Sequence, residues 1–163
     1  GDFPARRTIA THLDALVAMG AVVTEAPYHH LETPHGLKPT SMYLYEASVT
    51  GTETALLAAA AAPGVTEIRH AACEPHVVEL CTFLAKMGAG ISGAGTSTIR
   101  VEGGARLHGA EHRLWGDYIE AGSWARKAGS SSLMPSTTLI VFVPGWRWIE
   151  SVMARTAFLP RFR

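Results

Sequence analysis

The sequence predicts an α+β fold assembled from repeated units, and three observations carry that expectation. The first is a helix with one buried face. Between residues 74 and 95, Val77, Leu80, Cys81, Leu84 and Met87 recur at steps of three and four, the spacing of a single apolar stripe. The second is an echo: Leu16-Val-Ala-Met-Gly-Ala21 returns 68 residues later as Leu84-Ala-Lys-Met-Gly-Ala89. At the same offset Ile9 falls on Val77, Leu13 on Cys81 and Val23 on Ile91. The third is the order of periodicities along the chain: helix, strand, strand, strand, helix, strand, helix, strand, strand. A doubly wound parallel sheet would require stricter alternation of strand and helix.

Each element has a local reason. Residues 1–7 are a loop by their Gly and Pro content. Thr8 is placed to cap a helix over 8–19, with Gly20 ending it. Residues 21–25 form a strand, 28–33 return as a second, and Pro34-His-Gly36 turns. Residues 41–47 alternate, with Met42, Leu44 and Glu46 on one side and Tyr43, Tyr45 and Ala47 on the other. Ser48-Val-Thr-Gly-Thr-Glu53 opens the second helix, where Thr50 and Glu53 have capping-box spacing. Its body, 54–62, is mostly alanine and leucine, strong helix formers that allow close packing, and Pro63-Gly64 stops it. Residues 65–71 are a strand. Glu74-Pro75 starts the third helix, since proline lacks an N–H that the first turn leaves unpaired, and Gly88 suits a left-handed cap. Residues 89–92 and 98–102 pair around Gly93-Ala-Gly95, 107–114 read as another short strand, and Asp117 with Glu120 starts a helix through about 127.

Composition narrows the function. The chain has 163 residues, 47% of them hydrophobic and 17% charged, with zero formal net charge. That is enough apolar material for one domain, or one and part of another. It gives no general attraction to nucleic acid or anionic lipid. Residues 1–125 hold 8 Lys/Arg and 13 Asp/Glu, whereas 126–163 hold 6 and 1. Cys73 and Cys81 fit a reducing compartment, with Cys81 a buried free thiol. No apolar run is long enough to cross a bilayer. The eight histidines have no carboxylate or cysteine at ligand spacing, so no metal is expected. Gly93-x-Gly95 precedes a strand and is not a nucleotide loop. The chain begins at Gly1 without methionine and reads as an excerpt. Residues 129–163 are an atypical basic tail, with an apolar run at Leu139-Ile-Val-Phe-Val143, a helical pattern over 149–158, and Trp146-Arg-Trp148, for which packing is the simpler role.

Taken together, Ala71-Ala-Cys-Glu-Pro-His-Val-Val78, Phe83-Leu-Ala-Lys-Met-Gly-Ala89, Gly95-Thr-Ser-Thr-Ile-Arg-Val-Glu-Gly103, Arg106-Leu-His-Gly109 and Asp117-Tyr-Ile-Glu-Ala-Gly122 resemble the UDP-N-acetylglucosamine 1-carboxyvinyltransferases, enolpyruvyl transferases of peptidoglycan precursor synthesis. The resemblance runs from Gly1 to about Ala125. It implies an inside-out αβ barrel of repeated βαβαββ units, present here in part. Residues 1–116 would belong to a first domain with two repeat units, and 117–128 would start a second. After Ala125 the family pattern is lost where the charge balance shifts, as a change of reading frame, a truncation or divergence would produce.

The resemblance also implies a reaction. The family moves the enolpyruvyl group of phosphoenolpyruvate to the 3′-hydroxyl of UDP-N-acetylglucosamine, through a tetrahedral intermediate formed once the methylene is protonated. No cofactor, nucleic acid or membrane takes part, and the location is cytoplasmic. The proton donor is usually a loop cysteine. That position falls on Asp2, as in members resistant to fosfomycin, which alkylates the cysteine. An aspartic acid can act there if burial or the substrate phosphate raises its pKa. Arg7 falls on the arginine at the substrate phosphates, where a planar fork suits paired oxygens. The uridine-contacting run reads Thr8-Ile9-Ala10-Thr11-His12. The common pattern has proline at the second place and aspartate at the fourth, and only Arg7 and His12 agree with it. Ser48 and Val49 fall on the segment that holds the UDP phosphates at a helix start, but Glu46 stands where the family has lysine. Glu74 and Glu120 fit helix-start acids, and Asp117 lies near the crossing between domains. The general base and remaining phosphoenolpyruvate ligands have no counterpart in the chain, which implies that it is inactive alone. Two other readings stay open: a 3-phosphoshikimate 1-carboxyvinyltransferase, and a catalytically dead binding domain.

Overall fold

The computed structural model describes residues 8–25 and 29–120. Asp2, Arg7 and the features expected beyond residue 120 lie outside the described residues. The chain divides into two compact units, 1–108 and 109–163. In the first, the elements are α1 (Ala10–Ala18), β1 (Val22–Glu25), β2 (His29–Glu32), β3 (Ser41–Tyr43), α2 (Val49–Ala61), β4 (Gly64–Arg69), α3 (Pro75–Lys86), β5 (Gly90–Ser92) and β6 (Thr98–Gly103). This is the order that the periodicities predict.

The strands form two sheets. β1 and β2 pair antiparallel as a two-stranded sheet, and the other four lie in the order β3-β4-β6-β5. β3 runs parallel to β4, with Met42 opposite Ile68. β6 is antiparallel to both neighbours, with Ile99 opposite Ile68 and Val101 opposite Ile91. The run β3-α2-β4-α3-β5-β6 is therefore one complete βαβαββ unit on one sheet. The preceding α1-β1-β2 is the αββ half of another copy.

The echo in the sequence is an echo in the backbone. At the end of α1, the Ala21 N–H donates to Leu16 O at 2.9 Å and the Gly20 N–H to Val17 O at 2.9 Å. At the end of α3, Ala89 donates to Leu84 O at 3.1 Å and Gly88 to Ala85 O at 3.0 Å. Both are Schellman closures, which need a left-handed residue after the last turn; Gly20 and Gly88 supply it at φ +95° and +110°. In each copy the methionine carbonyl then accepts from a later amide: Met19 from Lys38 at 2.8 Å, Met87 from His108 at 3.0 Å.

α2 sits at the centre because its side chains are small. It packs on α1, α3, β4 and β6, and Ala55, Leu56, Ala59 and Ala62 are fully buried. The inner sheet face brings Met42, Ile68, Ile99 and Val101, and α3 adds Val77, Cys81 and Leu84. Burying each large side chain of this kind contributes about 1.5–3 kcal/mol before entropy is counted. Gly103 marks the closest approach of helix and sheet: a Cβ there would overlap the carbonyl oxygens of Ala59, Ala60 and Ala62. The opposite sheet face is exposed, with Tyr43, Arg69, Arg100 and Glu102 on it. Helices inside and a solvated outer sheet are what an inside-out barrel requires.

Several local expectations need correction. α1 starts at Ala10, its N-cap is Ile9 without a side-chain bond, and Thr8 instead accepts from the Ala10 N–H at 3.0 Å. The expected box of Thr50 and Glu53 does not cap α2. Ser48 does, accepting from the Gly51 N–H at 3.2 Å, because the helix begins two positions earlier than the box requires. β3 stops at Tyr43 rather than 47, since the chain must turn inward to reach the α2 start. Residues 107–114 form no strand. In the second unit, Asp117 Oδ1 accepts from the Ile119 and Glu120 amides at 2.8 and 3.3 Å, and residues 118–120 are helical.

Candidate functional site

The site lies where α1 and α2 begin. Ser48 is extended at φ −73° and ψ 129°, the geometry that lets a cap side chain turn back on the first turn. Its Oγ takes the Gly51 amide, and its carbonyl takes the Thr52 amide at 2.9 Å. The amides of Val49 and Thr50 have no partner among the described residues, and they lie at the positive end of the α2 dipole. Two open N–H groups at a helix start suit an anion.

α1 supplies the other wall. His12 Nε2 lies 3.0 Å from Thr50 Oγ1, so a histidine of the first copy is tied to the first turn of α2. The helices can come this close because residue 51 is glycine. A Cβ there would sit 2.7 Å from Thr11 Cγ2, and Thr11 is buried. Thr8, His12, Ser48 and Val49, singled out from sequence, thus lie on two adjoining helix starts, with Thr8 bonded within its own turn. Glu46 is exposed; its carbonyl accepts from the Ser48 N–H at 2.8 Å, which shapes the loop without using the carboxylate.

Sequence reasoning missed two threonines and a histidine. Thr50 anchors His12. Thr52 is fully buried and donates to Ser48 O at 2.7 Å while accepting from the Ala72 N–H at 3.0 Å. His70 donates through Nδ1 to Leu44 O at 3.0 Å. A hydroxyl at the fourth position from a cap serine is a usable sequence signal for Thr52. His70 has none, because its partner is 26 residues away. No cluster of three potential metal ligands occurs among the described residues. Cys73 is exposed and Cys81 buried, both free, and burial pushes the Cys81 thiol up to about 11.

The sequence profile of EPSP synthase (3-phosphoshikimate 1-carboxyvinyltransferase) matches residues 4–132, past the point where the sequence pattern was expected to end. The chain belongs to the EPSP synthase family. Within this family it is similar to UDP-N-acetylglucosamine 1-carboxyvinyltransferases. That of Treponema denticola is 48% identical over 124 residues, 76% of this chain and 29% of that protein. That of Methylocella silvestris is 52% identical over 112 residues, 68% of this chain and 26% of that protein. Among solved structures, the enolpyruvyl transferase NikO from Streptomyces tendae superposes with a TM-score of 0.64 at 26% identity, over 74% of this chain and 31% of that one. The fold is therefore a partial enolpyruvyl transferase fold. The chain spans less than a third of the length of these relatives.

Proposed function

We propose that this family member serves the transfer of the enolpyruvyl group from phosphoenolpyruvate to the 3′-hydroxyl of UDP-N-acetylglucosamine, in cytoplasmic peptidoglycan precursor synthesis. The observation that carries the reading is the α2 start, with the open amides of Val49 and Thr50 beside His12, in a chain whose similar relatives bear that activity in their names. The acceptor's phosphates lie against these amides. The dipole and Arg7 supply the positive potential that Glu46 does not. Asp2 gives its proton to the phosphoenolpyruvate methylene while the sugar 3′-hydroxyl loses its proton and its oxygen bonds to the adjacent carbon; loss of inorganic phosphate together with one proton of the new methyl group then restores the double bond and completes the transfer.

The test is a titration of the chain followed by amide chemical shifts. UDP-N-acetylglucosamine is expected to move the Val49, Thr50 and Gly51 resonances, and shikimate 3-phosphate is not. The reverse response would assign the chain to aromatic biosynthesis, and no response to either would remove the acceptor site. With both substrates present the chain by itself is expected to release no phosphate; turnover would contradict its being a partial site.

A further inference from the structure

We infer that His70 is a positioning residue, one that sets the α2 start from the far side of the sheet connection without touching the ligand. The inference rests on the reading of Ser48 to Gly51 as the acceptor site. Four contacts carry it. The segment leading into α2 is gripped at both ends by the connection between β4 and α3. At one end the Leu44 N–H donates to Arg69 O at 3.0 Å, and His70 Nδ1 donates to Leu44 O at 3.0 Å. At the other, the Ala72 N–H donates to Thr52 Oγ1, whose hydroxyl donates to Ser48 O. The residues between Leu44 and Ser48, 45–47, therefore hang between two fixed points.

His70 occupies a conformation that its side chain does not favour. Its φ is +58°, and among the described residues it is the one non-glycine residue with positive φ. A Cβ makes the left-handed region costly, and such a conformation persists where the surroundings over-determine it. In this conformation the Nδ1–H meets Leu44 O while the ring stacks on Tyr43, centroids 5.1 Å apart and planes 19° from parallel. Because a carbonyl can only accept, Nδ1 carries the proton. The Ser48 carbonyl is held through Thr52, so the direction of the Val49 and Thr50 amides follows from this brace.

The experiment compares the parent chain with His70→Gly and His70→Asn. Glycine keeps the left-handed backbone without strain and removes the imidazole, so misfolding is not built into the variant. Asparagine tolerates the same backbone and keeps a side-chain donor. UDP-N-acetylglucosamine is titrated against each, with thermal melting measured alongside. Loss of one positioning hydrogen bond is expected to weaken binding about fivefold in His70→Gly, with partial recovery in His70→Asn and little change in melting temperature. Unchanged affinity in His70→Gly would overturn the inference. So would a loss of affinity that only tracks a large drop in melting temperature, since that assigns His70 to the fold alone. If the parent chain does not bind the nucleotide sugar, the acceptor reading fails, and the brace is judged in the free chain. There, His70→Gly should speed exchange of the Gly51 and Thr52 amides about tenfold relative to the α3 amides, and equal exchange would refute it.

Discussion

Replacing Gly103 by alanine tests the packing argument most sharply. The added methyl would overlap the carbonyl oxygens of Ala59, Ala60 and Ala62, all backbone atoms at the end of α2. No rotamer can relieve this; either the helix end or β6 must shift, and both are tied to a buried core. Forced overpacking of this kind costs about 3 kcal/mol or more. For a folded unit of roughly 100 residues that is a drop in melting temperature of about 12 °C or more. Two other glycines calibrate the number. Gly36→Ala places a Cβ in open space at φ +71°, so it meets backbone strain alone, about 1–2 kcal/mol. Gly51→Ala meets the Thr11 methyl at 2.7 Å but gains about 1 kcal/mol of helix propensity, so its two terms oppose. Melting followed by circular dichroism should rank Gly103→Ala as by far the least stable. A Gly103→Ala chain melting within 3 °C of the parent would refute the close approach of α2 to β6.

The remaining predictions concern the thiols and the loop acid. Exposed Cys73 should react with a disulfide reagent in the native chain, whereas Cys81 should react only on unfolding; early labelling of both would contradict the burial of Cys81. Below pH 9 the Cys81 thiol is protonated in folded and unfolded chains alike. Between its ordinary value of 9.0 and about 11 the unfolded thiol ionises while the buried one keeps its proton, so stability falls as pH rises, by at most about 1.4 kcal/mol per unit. Urea titrations at pH 8.5 and 10.5 should show a smaller fall in Cys81→Ala than in the parent, and equal falls would count against it. Fosfomycin should leave no adduct at Asp2, which has no thiol; an adduct at that residue in peptide mapping would defeat the reading.

The elements were legible wherever a local rule acted alone. The α3 stripe, Pro75 at its start, and Gly20 and Gly88 at the ends of two helices all speak through neighbours within one turn. The cap of α2 was misread because two signals overlap there: Ser48 with Gly51 and Thr50 with Glu53 both fit a helix start, and only the position of the first turn chooses between them. Residues 107–114 have scattered apolar side chains but pair with no strand among the described residues, and pairing is not a local property. Ser48, Val49 and His12 were found through resemblance rather than pattern. Their meeting could not be read, because it depends on Gly51 letting α1 approach α2. The role of His70 depends on a carbonyl far away in sequence, so nothing near it announces the contact.

The paired closures after α1 and α3 bear on how such a chain changes over time. Each joint uses only main-chain atoms, plus one glycine with no side chain to clash. The later amide that meets the methionine carbonyl comes from Lys38 in one copy and His108 in the other, residues with nothing in common but an N–H. A duplicated unit hinged this way can exchange nearly every side chain around its hinge and still close at the same angle. The two copies were thus free to diverge in sequence without either having to relearn how to fold.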